Sequence, residues 1–343
     1  MALDSITFQL KVRILRWITQ LLAWLDRRRS PVPSCTPTSR ISIPSTLSTS
    51  PGTFDIFLYH PKTNTNPSPP HKTSYPLVVV LHGGGWCVGD ARHDERFIET
   101  LTARGIVVAA VNYRLAPEHP YPIPVSDCLD ALLYLWKNST SIGVDKDRSF
   151  IAGFSVGGTM AFASLFMLWS ALQDKDPRID SATFGTVKGI TAFYPPMDGT
   201  KSRGERAASN PAFAALKKKP ASSSKLIGEI FDRGYFWKRG RGLEMPDKTH
   251  MCISPGLAPG EVIKAALPKH IFVKPAGLDP LLAEGVAAAE RFRDLGMEVE
   301  CEVIRGVPHY WDHLAKAEQE KRVRQEVWEK AADEIVEVLE MKG

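Results

Sequence analysis

The chain has 343 residues, of which 43% are hydrophobic and 24% are charged, and its formal net charge is +5. This composition excludes a disordered, collagen-like or coiled-coil protein, and the length predicts a sizeable buried core. The charge is uneven, because residues 1–30 carry +4, residues 201–250 carry +7 and the remainder carries −6. The basic segments contain no finger, RNP-like or leucine-zipper motif, so no nucleic-acid partner is predicted.

The five cysteines are scattered and show no C-x-x-C spacing, so neither a disulfide framework nor a zinc site is predicted. No secretory signal is predicted, because Lys11, Arg13 and Arg16 interrupt the first apolar stretch. These features favour a cytoplasmic, reducing setting. The sequence also has no metal-ligand cluster, dinucleotide fingerprint or P-loop pattern, so neither a metal nor a cofactor is predicted.

Residues 6–25 carry apolar side chains at helical spacing, with polar side chains on the opposite side, which predicts an amphipathic helix. The apolar face consists of Ile6, Leu10, Ile14, Trp17, Leu21 and Leu25, and the polar side of Gln9, Arg13, Arg16, Gln20 and Arg27. Two interpretations stay open. The preferred one, because it is commoner, is that the apolar face packs on the protein's own core as part of a lid. The other is that the helix lies in a membrane interface, held by the arginines at 27–29 and two tryptophans. A full membrane span is not predicted, because three cations would lie in the hydrocarbon.

Strand-like alternation follows at residues 42–44 and 54–59, and a polar surface loop is predicted at 64–71. Short apolar strand candidates then occur at 77–81, 106–113, 150–153, 189–193, 271–275 and 299–304. The helical patterns between and after them include 125–136, 159–172, 283–295 and 318–341. This alternation predicts an α/β fold with a mostly parallel sheet covered by helices on both faces. In such sheets the chemistry lies at the carboxyl ends of the strands.

The third of these core strands ends in a G-x-S-x-G sequence that reads Gly153-Phe154-Ser155-Val156-Gly157, and a helical pattern follows at once. The flanking glycines let the chain turn sharply, so that the Ser155 hydroxyl projects as a nucleophile. The N–H of Val156, at the start of the helix, is suited to bind the oxyanion that forms on attack at a carbonyl. The alternative is a plain glycine-rich turn between strand and helix.

The first core strand is followed by His82-Gly83-Gly84-Gly85-Trp86. Three successive glycines expose backbone N–H groups, which a second half of an oxyanion hole requires. The alternatives are a flexible turn and a phosphate-binding loop. The phosphate loop is disfavoured because its lysine and its serine or threonine are missing.

A nucleophilic serine needs a general base and a carboxylate that orients the base. Among nine histidines, His309 is the best placed, because it follows the last predicted strand through the loop 306–308. The carboxylate candidates are Asp279 and Asp198, which both keep the chain order Ser, Asp, His. Asp279 is favoured because its strand immediately precedes the strand that leads to His309.

Taken together, the chain resembles the hormone-sensitive lipase-like branch of the α/β-hydrolase superfamily. The resemblance is carried by HGGGW at 82–86, YRLAPEHP at 113–120, GFSVGG at 153–158, GLDPL at 277–281 and the stretch 306–309. It implies Ser155 as nucleophile, His309 as base and Asp279 as orienting acid. It also implies an oxyanion hole formed by the backbone of Gly83, Gly84, Gly85 and Val156.

The resemblance further implies a lid made of the N-terminal segment and an insertion after the sixth strand. We therefore expect one catalytic domain, with an N-terminal lid helix and connecting segment at 1–45, core at 46–199, a lid insertion at 200–250 and core again at 251–343. The two lid segments are the two basic segments identified from the charge distribution.

The sequence departs from the family at two places. Phe154 stands where the family commonly has aspartate, and Tyr310-Trp311-Asp312 replaces the usual Gly-Phe after the histidine. We expect these changes to give an unusually aromatic substrate pocket. Its predicted lining residues are Trp86, Phe154, Tyr310 and Trp311.

The predicted activity is hydrolysis of a small to medium, hydrophobic or aromatic carboxylic ester. A second hypothesis is a tailoring enzyme of natural-product assembly that acts on a polyketide-like ester or lactone, or that catalyses a non-hydrolytic condensation. A third, a ligand-binding receptor on a hydrolase fold, is disfavoured because the catalytic serine, aspartate and histidine are all present. Two interpretations of the basic lid segments, which include the lysines at 217–219 and the basic string at 238–241, stay open. They are either two solvated faces beside the pocket mouth or a surface that favours anionic substrates or a membrane.

Overall fold

The computed structural model describes residues 2–29, 35–62, 74–219, 224–236 and 246–341, with the side chains of residues 2–5 and 29 excepted. The loop predicted at 64–71 and the basic string at 238–241 lie outside these ranges. The lysines at 217–219 lie within them.

Ten strands form within the described ranges. They are β1 (Ser39–Pro44), β2 (Thr53–Tyr59), β3 (Tyr75–Leu81), β4 (Val107–Asn112), β5 (Val144–Phe154), β6 (Val187–Phe193), β7 (His270–Lys274), β8 (Ala276–Leu278), β9 (Glu298–Cys301) and β10 (Ile304–Pro308). Eight of them make one sheet in the order β1-β2-β4-β3-β5-β6-β7-β9, and β8 and β10 make a separate pair.

The predicted mostly parallel sheet is confirmed. β4, β3, β5, β6, β7 and β9 run parallel, whereas β1 and β2 are antiparallel to their neighbours. Leu81 at the end of β3 lies opposite both Val111 and Gly153. The carboxyl ends of the central strands therefore meet at one edge, where the sequence predicts the chemistry.

The strand predicted at 299–304 is wrong as a single element. β9 ends at Cys301 beside β7, and β10 begins at Ile304 in parallel pairing with β8. Pro275 separates β7 from β8 and has no N–H to continue the ladder, so the chain bends out of the main sheet there. The Ile304 N–H donates to the Pro275 carbonyl oxygen at 2.8 Å, which starts the new pair. The β8–β10 pair thus leads to Asp279 and His309 side by side.

Twelve helices are present in the described ranges. They are α1 (Ala2–Arg29), α2 (Glu95–Thr102), α3 (Ile123–Lys137), α4 (Ser139–Ile142), α5 (Val156–Gln173), α6 (Arg203–Ser209), α7 (Pro211–Ala214), α8 (Lys225–Tyr235), α9 (Gly260–Ala266), α10 (Leu282–Asp294), α11 (Trp311–Leu314) and α12 (Glu318–Glu340).

The alternation of side chains along the central strands builds two core layers. On β3, Leu77, Val79 and Leu81 pack with residues of α3, α5 and α10. Val78 and Val80 point to the other face, where they pack with residues of α2 and α12. Both faces of the sheet are covered, which accounts for the continuous apolar runs in the sequence.

One helix among the described residues, α5, is long and apolar enough by composition to cross a membrane. However, 61% of its apolar stretch is buried inside the protein. Its residues pack in the core layer that also contains α3 and α10. The apolar composition of α5 is therefore explained by its place in the core.

The helix predicted at 6–25 forms as α1, but the preferred interpretation of its apolar face is wrong. Phe8 and Val12 pack with the loop after β3 and with Ile230 of α8, while the predicted packing face remains exposed to solvent. Arg16, expected on the polar side, points inward and donates to the carbonyl oxygen of Cys87 at 2.6 Å. The reason lies in the tertiary structure. The loop after β3 and helix α8 contact α1 on the side opposite the predicted face.

Candidate active site

Ser155 lies in a sharp turn between β5, which ends at Phe154, and α5, which begins at Val156. Its backbone has φ +51° and ψ −121°, a conformation that non-glycine residues rarely adopt. The Ser155 N–H donates to the Phe193 carbonyl oxygen at 2.9 Å. A Cβ on Gly157 would overlap the Leu81 carbonyl oxygen, so only glycine fits the turn there. The predicted G-x-S-x-G geometry is thus present.

The side chains of Ser155, His309 and Asp279 form a continuous hydrogen-bonded series. Ser155 Oγ lies 3.0 Å from His309 Nε2, and His309 Nδ1 lies 2.6 Å from Asp279 Oδ2. Asp279 is fully buried, and its second oxygen accepts the Leu281 N–H at 3.0 Å. With Nδ1 donating to the carboxylate, Nε2 is available to accept the serine proton.

Asn210 braces the turn that carries Asp279, and sequence reasoning missed this residue. Its side-chain nitrogen donates to the carbonyl oxygens of Gly277 and Asp279 at 3.0 and 2.8 Å. Its side-chain oxygen accepts the N–H of Phe213 and so caps α7. The sequence offers one indication of a role for Asn210, because an asparagine directly before Pro211 predicts the start of a helix. It does not predict the contact with the distant Asp279 turn.

Asp198, the competing carboxylate, makes local hydrogen bonds instead of contacting His309. Its Oδ1 accepts from the backbone N–H of Thr200 at 3.0 Å and from the Thr200 hydroxyl. The neighbouring backbone is held by Glu284, which accepts the Met197 N–H at 2.9 Å and an N–H of Arg206 at 2.8 Å. Burial raises the pKa of Glu284 although Arg206 opposes the shift. Asp198 therefore stabilises a turn at the edge of the site.

The glycine run after β3 lies directly against the Ser155 turn. A Cβ on Gly83 would be 3.1 Å from the Phe154 carbonyl oxygen and 3.5 Å from Ser155 Cβ. Gly84 has φ +118°, and a Cβ there would overlap the Val88 carbonyl oxygen. At Gly85 a Cβ would overlap the ring of Phe231 from α8. Close packing therefore requires glycine at the second and third positions of the run.

A cavity of about 1300 Å³ opens beside Ser155 and His309. Its floor includes the glycine run and the start of α5, and its walls include residues of α1, α6 and α8. Wall residues that contribute from these three helices are Leu22, Arg203 and Phe231. The reactive side chains are thus reached through a space enclosed by the two segments that the sequence predicts as a lid.

Two of the four predicted aromatic pocket residues do not line this cavity. Phe154 is fully buried and stacks on Phe193 with ring centroids 4.5 Å apart. Trp311 packs in the same core layer as α2 and α12. Phe154 does not reach the cavity because the alternation of side chains along β5 points it into the core. Trp86 and Tyr310 do line the cavity.

Basic side chains outnumber acidic ones around the cavity. Most arginines there are paired with carboxylates; for example, Arg203 pairs with Asp232 at 2.9 Å. Lys201, Lys248 and Lys316 line the cavity without a carboxylate partner in the described part of the chain. The cavity lining therefore carries an excess of positive charge, which is the arrangement that attracts anions.

His313, another histidine of the cavity lining, lies in a buried ionic cluster. Its Nε2 is 2.8 Å from Asp94 Oδ1 and its Nδ1 is 3.0 Å from Asp312 Oδ1, which also accepts the Tyr194 hydroxyl at 2.6 Å. Burial lowers the pKa of His313, but the two carboxylates outweigh burial and raise the pKa to about 9. Both ring nitrogens are engaged, so this histidine is a structural cation.

Raising the pH from 6 to 9.5 is expected to destabilise the protein through His313. Because its pKa is higher in the folded chain than the ordinary value near 6.5, the stabilisation is complete below about pH 6.5 and is lost as the pH rises through about 9. The loss is on the order of 3 kcal/mol in the free energy of unfolding. Urea unfolding across this range measures it. His313→Gln should lack this pH dependence, and an equal dependence in the variant would assign it to other groups.

Comparison with known proteins agrees with this fold. The family described as alpha/beta hydrolase fold matches residues 78–313. Esterase LipI of Mycobacterium tuberculosis is 32% identical over 71% of this chain and 68% of its own length. Lipase 2 of Moraxella sp. is 28% identical over 75% of this chain. The chain spans 59% of the length of Lipase 2 and less than two thirds of several other curated relatives.

Solved structures show the same fold over nearly the whole chain. An esterase from Pyrobaculum calidifontis covers 94% of this chain, with 92% of its own chain matched, a TM-score of 0.71 and 25% identity. A thermostable esterase from Pseudomonas putida covers 98% of this chain and 92% of its own, with a TM-score of 0.71 and 22% identity. The class of protein is thus the α/β hydrolases. Within that class, the chain belongs to the hormone-sensitive lipase-like family.

Proposed function

We propose that this protein hydrolyses carboxylic esters through Ser155, His309 and Asp279 by way of an acyl-enzyme intermediate. The observation that carries the proposal is the hydrogen-bonded series from Ser155 Oγ to His309 at 3.0 Å and from His309 to Asp279 at 2.6 Å, which opens on a cavity. A serine hydroxyl needs a neighbouring base to become a nucleophile. Membership of a family whose relatives are named esterases and lipases supports the same chemistry.

In the first half of the reaction, Ser155 Oγ attacks the ester carbonyl carbon while its proton passes to His309 Nε2. Asp279 accepts the hydrogen bond from Nδ1 and stabilises the imidazolium that forms. The carbonyl oxygen becomes an oxyanion, and we assign its hydrogen-bond donors to the backbone N–H groups of the glycine run 83–85 and of Val156. The position of Val156 at the first residue of α5 supports this role, because a helix N-terminus favours negative charge.

The tetrahedral intermediate then collapses, and His309 returns its proton to the departing alcohol oxygen as the ester C–O bond breaks. The acyl group is left on Ser155 as an ester. A water molecule gives a proton to His309 Nε2 as it attacks this second ester, and the same N–H groups bind the new oxyanion. Collapse breaks the bond to Ser155, the proton returns to Oγ, and the carboxylic acid leaves.

We further propose that α1 and the segment from α6 to α8 act as a lid over the reacting groups. This rests on their contributions to the cavity wall and on the ring of Phe231, which packs against Gly85 beside the proposed oxyanion donors. Trp86, next in the chain, stacks on Tyr235 of α8 with ring centroids 3.9 Å apart. A roof in contact with the glycine run would exclude water from the acyl-enzyme until the alcohol has left.

For the substrate, the cavity supports an ester with a bulky apolar part. Its volume of about 1300 Å³ exceeds the roughly 300–1000 Å³ of most small-molecule pockets. This favours the natural-product ester or lactone as a second candidate. Lys201, Lys248 and Lys316 of the cavity lining, which have no carboxylate partner among the described residues, would add attraction for an ester that carries a carboxylate.

A series of p-nitrophenyl esters of increasing acyl length, with one lactone, tests these substrate proposals. Turnover that peaks within the series is expected for an ester hydrolase, and a faster reaction of a carboxylate-bearing ester at low salt is expected from the lysines. A fluorophosphonate probe applied to the same samples reports whether Ser155 is reactive. Labelling with no turnover of any member favours the natural-product candidate. Absence of labelling in folded protein contradicts the serine mechanism.

A further inference from the structure

α1 has two apolar faces, and the described part of the chain covers one of them and leaves the other exposed. Phe8 and Val12 are buried against Cys87, Val88 and Ile230. The helix is fixed in this orientation by two ion pairs, Arg16 with Glu118 at 2.7 Å and Asp26 with Arg96 at 2.6 Å. Because these ion pairs hold α1 in place, the helix cannot rotate to bury its other face, which stays exposed to solvent.

The solvent-facing side of α1, called the outer face below, is a stripe of large apolar side chains. Spacings of three and four residues place them along one side of the helix. They are Ile6, Leu10, Ile14, Trp17, Ile18, Leu21, Leu22 and Trp24. Ile6 is 66% exposed and Trp17 is 64% exposed. More than half of the large apolar side chains that are exposed in the described chain lie on this one helix, and such a patch marks an interaction surface.

The charges around the outer face are positive. Lys11, Arg13 and Arg28 are exposed, and the Arg28 guanidinium lies 4.1 Å from the centre of the Trp24 ring. Among the α1 residues whose side chains are described, Asp26 is the one acid, and it is neutralised by Arg96. A partner for this face must therefore accept apolar side chains and carry negative charge. An anionic lipid surface offers both, with apolar chains below negative headgroups.

We propose that the outer face of α1 binds an anionic phospholipid surface, with the helix lying in the plane of the interface. In this position the aliphatic side chains enter the acyl boundary, the tryptophans lie at headgroup level and the cations contact lipid phosphate. The helix does not cross the bilayer, because Arg16 is held inward by Cys87 and Glu118.

Helix α1 also connects the proposed lipid-binding face with the cavity. Leu15, Thr19 and Leu22 of α1 line the cavity, and Leu22 also belongs to the outer face. Docking would bring the cavity entrance against the lipid, so that an apolar ester could enter from the bilayer. This consequence rests on the proposed esterase function, whereas binding to lipid does not, and the two are measured separately.

Sedimentation of the full chain with vesicles tests the proposal. Vesicles of phosphatidylcholine mixed with phosphatidylglycerol should bind the protein, and pure phosphatidylcholine should bind it much less. Replacing three outer-face residues by glutamine, Leu10→Gln, Trp17→Gln and Leu21→Gln, should lower the partition coefficient at least about tenfold. The matched control is Leu172→Gln with Leu257→Gln, which changes exposed leucines outside α1 and should bind like the native chain.

A second variant, Lys11→Glu with Arg13→Glu, keeps the apolar stripe and should weaken binding to the anionic vesicles alone. Turnover of p-nitrophenyl acetate in solution should be unchanged in all variants, which separates loss of lipid binding from loss of the esterase. The proposal is overturned if the native chain does not sediment with anionic vesicles, or if neither α1 variant reduces sedimentation. It is also overturned if the native chain is a dimer that the three glutamines convert to monomer, because a second copy then covers the outer face.

Discussion

Ser155→Ala is expected to fold like the native chain and to lose at least about 10⁴-fold in kcat for p-nitrophenyl esters. The substitution removes only the Oγ that lies 3.0 Å from His309 Nε2, and it leaves the backbone bond to Phe193 intact. The proposed oxyanion donors remain, so a small residual rate above the uncatalysed reaction is expected. Initial rates at saturating ester, with a thermal melt of each sample, measure both parts of the prediction.

The matched control for this variant is Ser164→Ala. Ser164 is a buried serine on α5, the helix that follows Ser155, and its hydroxyl donates to the Ala161 carbonyl oxygen at 3.2 Å. It has no contact with His309 or Asp279 among its hydrogen bonds. Activity should therefore persist in Ser164→Ala. Native-like turnover by Ser155→Ala would show that ester cleavage uses a different nucleophile.

Asp279→Asn is expected to lower kcat by about 10³- to 10⁴-fold. The substituted side chain is nearly the same size as the native one, but its amide N–H₂ can face His309 Nδ1 and stabilise the tautomer that carries its proton on Nε2. That tautomer cannot accept the Ser155 proton. The variant also lacks the negative charge that stabilises the imidazolium during both halves of the reaction. Single-turnover acylation with a p-nitrophenyl ester isolates this step from product release.

Asp198→Asn is the control for Asp279→Asn. It separates the orientation of His309 by a carboxylate from a general effect of removing an acid near the site. Asp198 accepts its hydrogen bonds from Thr200, and an asparagine oxygen can accept them too. Its kcat should stay within about threefold of the native value. A large loss in Asp198→Asn together with little loss in Asp279→Asn would transfer the orienting role to the competing carboxylate.

The turn at Ser155 illustrates what local sequence is able to specify. An apolar strand, glycines at 153 and 157 and an immediate helix pattern are contiguous in the chain, and together they form the observed strand–turn–helix with its positive φ. Ser155 follows β5 of the main sheet, and Asp279 and His309 follow the paired strands β8 and β10, in the chain order that the sequence predicts. These features depend on residue spacing and backbone sterics, and a short contiguous stretch of sequence specifies both.

The contacts around the same site depend on distant parts of the chain. Asn210 reaches the Asp279 turn from 69 residues away, and Phe231 packs on Gly85 from α8. Phe154 adjoins the serine in sequence, but as the last residue of β5 it points into the core, where it stacks on Phe193 of the neighbouring strand. In each case the partner is set by how elements dock, and no local pattern carries that information.

The two basic segments show most clearly which features the sequence determines and which features the tertiary structure determines. The sequence by itself determined the fold class, the serine turn, the choice of His309 and Asp279, and a net charge of +5 concentrated outside the core. Tertiary structure alone decided that the two segments meet over one cavity and that α1 buries its Phe8 side while exposing the stripe through Trp17. The physical reason is that an apolar helix with two suitable faces can bury either, and only the shape and charge of its neighbours select one.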